Sequence, residues 1–240
     1  MANTQTVVAA FTEMAARYEQ TVDRELRQFW GIGYEEFISQ LLDRMDMAHA
    51  GLVLDVGTGR GVVPLALARR DGWSGNVVGL DITPEMLRGA AGEVVGRAET
   101  GRIRFVCGSG MQLPFRDGSF DTAICALATH HMAVPTLLAE LKRTLRPAGQ
   151  LLIADVALAN FWRSRSGRIA MRGMAWWYGR REGTARLQAE LDALSNMRAP
   201  EEWESFLDAA GFERIDLTAV RARRAWYPPG VLGRAFSNDS

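Results

Sequence analysis

The sequence is nearly without lysine and carries no excess charge of either sign. Its 240 residues include 28 basic and 28 acidic side chains, which give a formal net charge of zero, and Lys142 is the only lysine. A neutral chain without a clustered basic stripe lacks the electrostatic footprint of a nucleic-acid-binding protein. We therefore expect no nucleic acid among its partners.

Cysteines and long apolar runs are also scarce. The two cysteines, Cys107 and Cys125, lie in short apolar runs typical of strands, which favours a reducing compartment over a disulfide-bonded secreted protein. The first residues lack the basic flank and the apolar stretch of a secretion signal. No run approaches the roughly 18 apolar residues of a membrane span. These absences predict a globular cytoplasmic protein with no membrane partner.

What the sequence does contain is a regular alternation of short apolar runs and helical patterns. The runs are short enough for strands buried on both faces and occupy residues 52–56, 76–81, 103–108, 121–127, 150–156 and 212–220. Helical spacing of apolar residues lies between them, at 62–69, 84–96, 136–145 and 200–210. A last strand is predicted around 223–227, ended by Pro228 and Pro229. The alternation predicts an α/β fold with a doubly wound, mostly parallel, seven-stranded sheet.

This pattern divides the chain into four segments. Residues 1–50 predict an N-terminal helical cap of two helices with a turn near 30–33, and residues 51–156 predict the core of the sheet. Residues 157–200 interrupt the alternation and predict a helical insertion that forms a lid, and residues 201–240 complete the sheet. The insertion holds the following aromatic, methionine and arginine side chains: Phe161, Trp162, Arg163, Arg165, Arg168, Met171, Arg172, Met174, Trp176, Trp177 and Tyr178. The aromatic and methionine side chains could line an apolar pocket, and the arginines could bind an acidic group of the substrate. The simpler interpretations are that the apolar side chains pack within the fold and that the arginines lie on a solvated face.

A glycine-rich loop follows the first predicted strand. Gly57, Gly59 and Gly61 alternate, whereas a phosphate-binding P-loop needs Lys and Ser/Thr after its glycines and a dinucleotide site needs the spacing G-x-G-x-x-G. Asp81 ends the next strand, where a carboxylate can accept hydrogen bonds from both hydroxyls of a ribose, and Ile82 offers an apolar face to a base. Together these features predict a ligand that contains a nucleoside but not a pyrophosphate.

Four linked motifs carry a resemblance to a known family. They read "VLDVGTGRG", "VVGLDITPEML", "LPFRDGSFDTAICALATHHM" and "LAELKRTLRPAGQLLIADV", in this order, over roughly residues 50–156. In this order and spacing they resemble class I S-adenosylmethionine-dependent methyltransferases, which have a Rossmann-like fold. The closest likeness is to the small-molecule branch that includes the ubiquinone/menaquinone C-methyltransferases, the type 11-like methyltransferases. The resemblance implies S-adenosyl-L-methionine as the cofactor and a small-molecule substrate.

The resemblance also implies roles for individual residues. The methionine part of the cofactor would contact the glycine loop and the end of the fourth strand, the ribose would bind Asp81, and the adenine would lie between Ile82 and the segment 109–111. The cofactor-binding residues that it implies are Tyr18, Asp55, Gly57, Thr58, Gly59, Asp81, Ile82, Ser109, Gly110, Met111 and Ala126. The family usually has Asp where this chain has Ser109, so we expect weaker adenine binding, because serine loses the charge assistance. Tyr18 either closes over the cofactor or packs its helix onto the sheet.

Two neighbouring histidines follow the fourth predicted strand. Methyl transfer takes its reactivity from the cofactor, so a general base is needed only when the acceptor atom carries a proton that must leave. His130 and His131 are candidates for that base, with His131 slightly preferred, and the alternative is that they bond the loop backbone. The sequence has no Cys/His spacing of a ligand set, so no metal site is predicted.

The leading hypothesis is therefore a biosynthetic methyltransferase. It would transfer a methyl group from S-adenosylmethionine to O, N or C of a small, aromatic or otherwise apolar metabolite, acting as a monomer or homodimer. One alternative binds the same cofactor without methyl transfer, as a partner subunit or a relative of lyase or pericyclase type. Another is a nicotinamide-dependent dehydrogenase, which the glycine spacing disfavours.

Overall fold

A seven-stranded sheet forms the centre of the molecule. The computed structural model describes residues 4–97, 101–157, 196–224 and 226–238, together with isolated positions between 162 and 193. Among these residues the strands are β1 Leu52–Val56, β2 Asn76–Asp81, β3 Ile103–Cys107, β4 Phe120–Ala126, β5 Leu145–Val156, β6 Phe212–Val220 and β7 Gly230–Ser237. Their order is β3-β2-β1-β4-β5-β7-β6, and β7 runs antiparallel to both β5 and β6, whereas the other pairs are parallel. The predicted α/β, doubly wound, mostly parallel fold is confirmed.

Helices cover both faces of this sheet. They are α1 Thr4–Met14, α2 Tyr18–Phe29, α3 Tyr34–Leu42, α4 Val62–Ala68, α5 Pro84–Val94, α6 Val134–Thr144 and α7 Pro200–Ala209. Successive side chains of a strand point to opposite faces, so Val53 joins a buried cluster with Phe37 of α3, while Leu54 joins a second cluster with Leu137 of α6. Both faces of β1 are therefore buried, as its continuous apolar run predicts.

The helix starts follow from proline chemistry. A proline occupies the first turn of α5, α6 and α7, where the missing N–H has no intrahelical partner to lose. The predicted helix 136–145 accordingly begins two residues earlier, at Val134, because Pro135 belongs to its first turn.

The predicted last strand at 223–227 is wrong. The strand lies beyond Pro228 and Pro229, over Gly230–Ser237, where it pairs with β5 on one side and β6 on the other. A proline has no N–H to donate but its carbonyl can accept, and Ala157 N donates to Pro229 O at 2.7 Å. The two prolines therefore precede the antiparallel strand instead of ending it.

The N-terminal segment holds three α-helices where two are predicted. The turn near 30–33 is confirmed and Gly31 has a φ of 83°, but a 3-10 turn, Ala15–Arg17, also separates α1 from α2. No glycine or proline marks this break. The carbonyl oxygen of Ala15 accepts a hydrogen bond from the Arg60 side chain at 3.3 Å, so a tertiary contact takes part in ending α1.

The predicted lid lies mostly outside the described residues. Of its named side chains the structure describes Trp162, which is buried, and Arg165, which is exposed. Among the residues that are described, no helix combines the length and the apolar character needed to cross a lipid bilayer.

Candidate functional site

A cleft opens at the carboxyl ends of β1, β2 and β4. β1 pairs with β2 on one side and with β4 on the other, so the strand order reverses here, and ligands of open α/β sheets bind at such a point. The cleft holds about 770 Å³ of empty space, including the part open to solvent. Its walls are Thr4, Val7, Phe11, Tyr18, Gly57, Gly59, Leu80, Asp81, Ile82, Thr83, Met86, Gly108, Ser109, Gly110, Met111, Leu127, Ala128, His131 and Met132.

The glycine loop forms the floor of the cleft. Gly57 N and Thr58 N both donate to Leu80 O, at 2.8 and 3.0 Å, which fixes the loop against β2. Gly57 has a φ of 75°, in the left-handed region, and a Cβ there would lie 2.5 Å from the Cβ of Ala128. Glycine is therefore required both by the turn and by the close approach of the segment after β4.

Asp81 is held in one orientation at the end of β2. Its Oδ2 accepts from Gly59 N at 2.9 Å and its Oδ1 accepts from Thr83 N at 2.8 Å. Burial raises the pKa of this carboxyl, and the hydrogen bonds from Thr83 and Gly59 act in the opposite direction. The Thr83 hydroxyl and the Ile82 backbone N–H also bond to this carboxyl and lower its pKa. Asp81 lines the cleft, where its carboxylate oxygens face the space for a ligand.

One wall of the cleft combines apolar side chains with a serine turn. Ser109 Oγ accepts from Met111 N at 3.1 Å and therefore keeps its O–H donor and one further lone pair. Gly110 has no room for a side chain, since a Cβ there would lie 2.8 Å from Val56 Cγ1. Together with Ile82, these residues give a slot with apolar sides and a single polar group.

The opposite wall comes from the N-terminal helices. The Phe11 ring meets Tyr18 edge-on, with 5.9 Å between ring centroids, and meets His131 edge-on at 5.1 Å. Val7 and Phe11 were not predicted as site residues, although their spacing of four residues places both on one face of α1. Thr4, Thr83, Met86, Ala128 and Met132 also line the cleft and were not predicted.

The two histidines have different surroundings. His130 is buried, and its Nδ1 lies 2.6 Å from Asp155 Oδ1 while its backbone N donates to Asp155 Oδ2 at 2.9 Å. The Thr129 hydroxyl donates to the same carboxylate. His131 lines the cleft instead. The structure therefore brings His131, but not His130, together with the other candidate residues.

Three other predicted cofactor residues do not line the cleft. Thr58 and Ala126 are buried beside it. Asp55 lies under the glycine loop with 1% of its surface exposed, and burial raises the pKa of its carboxyl to about 7, opposed by the Thr58 hydroxyl. Its Oδ2 has no hydrogen-bond partner within the described part of the chain. The cofactor roles of these three residues, like those of the predicted residues that line the cleft, stay predictions.

Comparison with known proteins agrees with this geometry. Residues 54–153 match a family model described as a methyltransferase domain. Relatives include a ubiquinone/menaquinone biosynthesis C-methyltransferase of Geobacter sp. (strain M21), 30% identical over 155 residues, 61% of each chain. Another is the nocamycin O-methyltransferase of Saccharothrix syringae, 37% identical over 113 residues, 47% of this chain and 40% of that one. The chain thus spans about three fifths or less of the length of these relatives.

The fold has matches among solved structures. The crystal structure of the cyclase SpnF superposes with a TM-score of 0.74, covering 100% of this chain and 98% of that one at 18% identity. That likeness concerns the fold. The family match over residues 54–153, the relatives named above and the strand order of the sheet make this chain similar to class I S-adenosylmethionine-dependent methyltransferases.

Proposed function

We propose that the cleft binds S-adenosyl-L-methionine and that the chain transfers its methyl group to a small acceptor. The observation that carries the proposal is the Asp81 carboxylate, which the backbone N–H groups of Gly59 and Thr83 hold at the mouth of the glycine loop, where it lines the cleft. At this position of a doubly wound sheet, a carboxylate accepts hydrogen bonds from the two neighbouring hydroxyls of a ribose.

The residues present fit this cofactor. Ile82 and Met111 offer apolar faces to a base, and Ser109 offers one hydroxyl where the family usually has a carboxylate. Asp55 Oδ2, which has no hydrogen-bond partner among the described residues, would add a polar group if the loop brought it to the ligand. We expect binding that is weaker than with an acid at 109, because serine lacks charge assistance.

The bound cofactor supplies an activated methyl group on its sulfonium. The protein aligns the acceptor and keeps water out, and Phe11 and Tyr18 of the N-terminal helices cover the cleft for that purpose. His131 lies in the wall beside Phe11, where it would take the proton from an acceptor hydroxyl. His130, bound to Asp155, would hold the segment that carries His131.

The acceptor is inferred from the walls of the cleft. Leu127, Met132 and Phe11 are apolar, which favours an aromatic or otherwise apolar metabolite. The relatives named above are a C-methyltransferase and an O-methyltransferase, which supports carbon or oxygen as the acceptor atom, with nitrogen as a further possibility. We further propose that residues 51–156 and 201–240 form the core, that residues 1–50 and 157–200 cap it, and that the protein acts in the cytoplasm as a monomer or homodimer.

Calorimetry of cofactor binding tests the first step. We expect heat of binding with both S-adenosylmethionine and S-adenosylhomocysteine. Asp81→Asn should weaken both by roughly 100-fold or more, because two hydrogen bonds to a charged group are each worth about 1.5–3 kcal/mol. Asp208→Asn, at an exposed position of α7, is the matched control and should change neither. Absence of binding to the unchanged protein would overturn the proposal.

An acceptor panel tests the second step. Phenols, amines and quinol-like compounds are incubated with the labelled methyl donor, and S-adenosylhomocysteine is measured. Turnover that depends on an acceptor supports the proposal. Cofactor binding without turnover on any acceptor would favour the alternative without methyl transfer, and binding of NAD in place of S-adenosylmethionine would favour a dehydrogenase.

A further inference from the structure

We propose that Arg60 is a positioning residue that clamps the N-terminal cap onto the cleft and sets the residence time of the cofactor. The cap is defined here as residues 4–29, which comprise α1, the 3-10 turn and α2. The proposal rests on the proposed function in one respect only, the identity of the ligand.

The Arg60 guanidinium joins three elements of the structure. The residue stands between two glycines of the loop, and its Nη1 donates to Ala15 O in the turn of the cap at 3.3 Å. Its Nε lies 3.5 Å from Glu19 Oε1 of α2, and its Nη2 lies 3.4 Å from Glu93 Oε1 of α5. One side chain therefore ties the floor of the cleft to the cap and to the helix beside it.

Partial burial makes these contacts stronger than those of a fully exposed ion pair. The Arg60 side chain is 21% exposed, and the Glu19 and Glu93 side chains are each 43% exposed. Burial raises the pKa of Glu19, the Arg60 charge lowers it, and the Glu93 charge raises it again. Glu93 also lies 3.4 Å from Arg97 Nη2, so loss of Arg60 would remove the contact between the cap and α5 while Glu93 kept one cationic partner.

A glycine in α5 provides independent evidence for the position of Arg60. Gly89 lies inside that helix, and a Cβ there would lie 2.3 Å from Arg60 Nη1. Glycine inside a helix costs about 1 kcal/mol relative to alanine. Gly92, in the same helix, has no atom within 4 Å of the corresponding Cβ position. The guanidinium therefore occupies space that only a glycine at 89 leaves open.

The clamp connects the groups that would hold the ligand. Gly59, next to Arg60, donates to the Asp81 carboxylate, and Ala15 lies in the chain between Phe11 and Tyr18, which line the cleft. Loss of the Arg60 contacts frees the turn that places both rings. The cap then opens more often, and a ligand beneath it dissociates faster.

Alanine substitutions at the two glycines of α5 distinguish the loss of the Arg60 contacts from a change in helix stability. Gly89→Ala and Gly92→Ala both improve helix propensity, but only Gly89→Ala displaces the guanidinium. We expect the dissociation rate of S-adenosylhomocysteine to rise about tenfold in Gly89→Ala and to change by less than about twofold in Gly92→Ala, since such contacts act mainly on dissociation. Arg60→Gln should match Gly89→Ala, and Arg60→Lys should not restore the wild-type rate, because an ammonium lacks the planar fork of donors.

Hydrogen exchange of the unliganded protein gives a readout that needs neither cofactor nor acceptor. Amides of the cap should exchange faster in Gly89→Ala and in Arg60→Gln than in the wild type or in Gly92→Ala. Equal exchange and equal dissociation in the two alanine variants would overturn the clamp and leave the proposed function intact. Failure of the wild type to bind S-adenosylhomocysteine would overturn the proposed function, and the exchange experiment would still decide the clamp. If Gly89→Ala does not fold, Arg60→Gln takes its place.

Discussion

The floor of the cleft and the cap above it are held by different kinds of contact. Backbone hydrogen bonds fix the floor: Gly57 and Thr58 donate to Leu80 O, and Gly59 donates to Asp81. Side chains hold the cap: Arg60 contacts Ala15 and Glu19, and the Phe11 ring packs edge-on against Tyr18 and His131. Within the cap, α2 joins the buried core through Val22 and Leu26, whereas α1 contributes to neither of the two buried clusters. A segment with fewer contacts to the core opens locally at lower free energy than the sheet, so we expect the floor to stay fixed and α1 to be the part of the cap that moves.

The largest effect expected in the floor is a pH dependence that comes from Asp55. Its pKa is about 7 in the folded protein against about 3.9 in an unfolded chain. The folded state therefore binds the extra proton between these values, so the stability contributed by the protonated carboxyl is fully present below about pH 4 and lost as pH rises through about 7. Relative to Asp55→Asn, the unfolding free energy of the wild type should fall by about 1.4 kcal/mol per pH unit in this window, on the order of 4 kcal/mol in all.

Urea unfolding of both proteins between pH 5 and pH 8 measures this difference. Subtraction of the two curves removes the titration of the carboxyls that both proteins share. A difference that does not change over this range would show that Asp55 stays ionised beneath the loop, and the floor would then contain a fixed negative charge.

Substitutions of His130 and His131 test the wall between the floor and the cap. His130→Phe keeps a ring but removes the bond to the buried Asp155 carboxylate, so we expect a loss of about 2–3 kcal/mol in the unfolding free energy. His131→Phe should change stability by less than about 1 kcal/mol, because the side chain is only partly buried at the cleft. Methyl transfer to a hydroxyl acceptor should instead fall by about 100-fold or more in His131→Phe.

Unfolding curves and the rate of methyl transfer check both expectations. If His131→Phe keeps the rate of the wild type, the histidine serves only to pack against Phe11.

Gly57→Ala tests how closely the floor meets the segment after β4. Gly57 and Gly72 have nearly the same φ, 75° and 76°, but Gly72 has no atom within 4 Å of its Cβ position. Both alanine variants incur the left-handed cost of about 1–2 kcal/mol. Only Gly57→Ala adds the clash with Ala128, worth about 1–3 kcal/mol more. Equal unfolding free energies in the two variants would show that the contact relaxes freely.

The sequence predicts the floor far better than the rest of the site. β1 and β2 have the predicted bounds, and the Asp81 carboxylate faces the cleft as expected. The reason is that buried parallel strands read as short apolar runs, and the turns between them require glycine or a capping acid in the chain itself. Local requirements of this kind are written in consecutive residues.

The errors arise where distant contacts decide the structure. The local sequence gives no signal for the helix break at Ala15–Arg17. One of the contacts at this break is a hydrogen bond from Arg60, which lies far away in the chain. The last strand follows Pro228 and Pro229 because β7 finds its partners in β5 and β6, and the local pattern cannot show this pairing. His130 and His131 are adjacent in sequence, but their surroundings differ because the His130 ring bonds to the buried carboxylate of Asp155. The sequence pattern does not show this contact.

The smallest effect concerns a second attachment of the cap, the hydrogen bond from Thr12 Oγ1 to Glu85 Oε2 at 3.0 Å. Both side chains are exposed, and water replaces such a bond at little cost, so we expect Thr12→Val to raise the dissociation rate of S-adenosylhomocysteine by less than about twofold. Thr12→Ser keeps the hydroxyl and is the matched control. Stopped-flow displacement can compare these two variants with Gly89→Ala in one series. Should Thr12→Val accelerate dissociation as much as Gly89→Ala, the cap would be held at its exposed rim, because the bond lost there would then outweigh the partly buried contacts of Arg60.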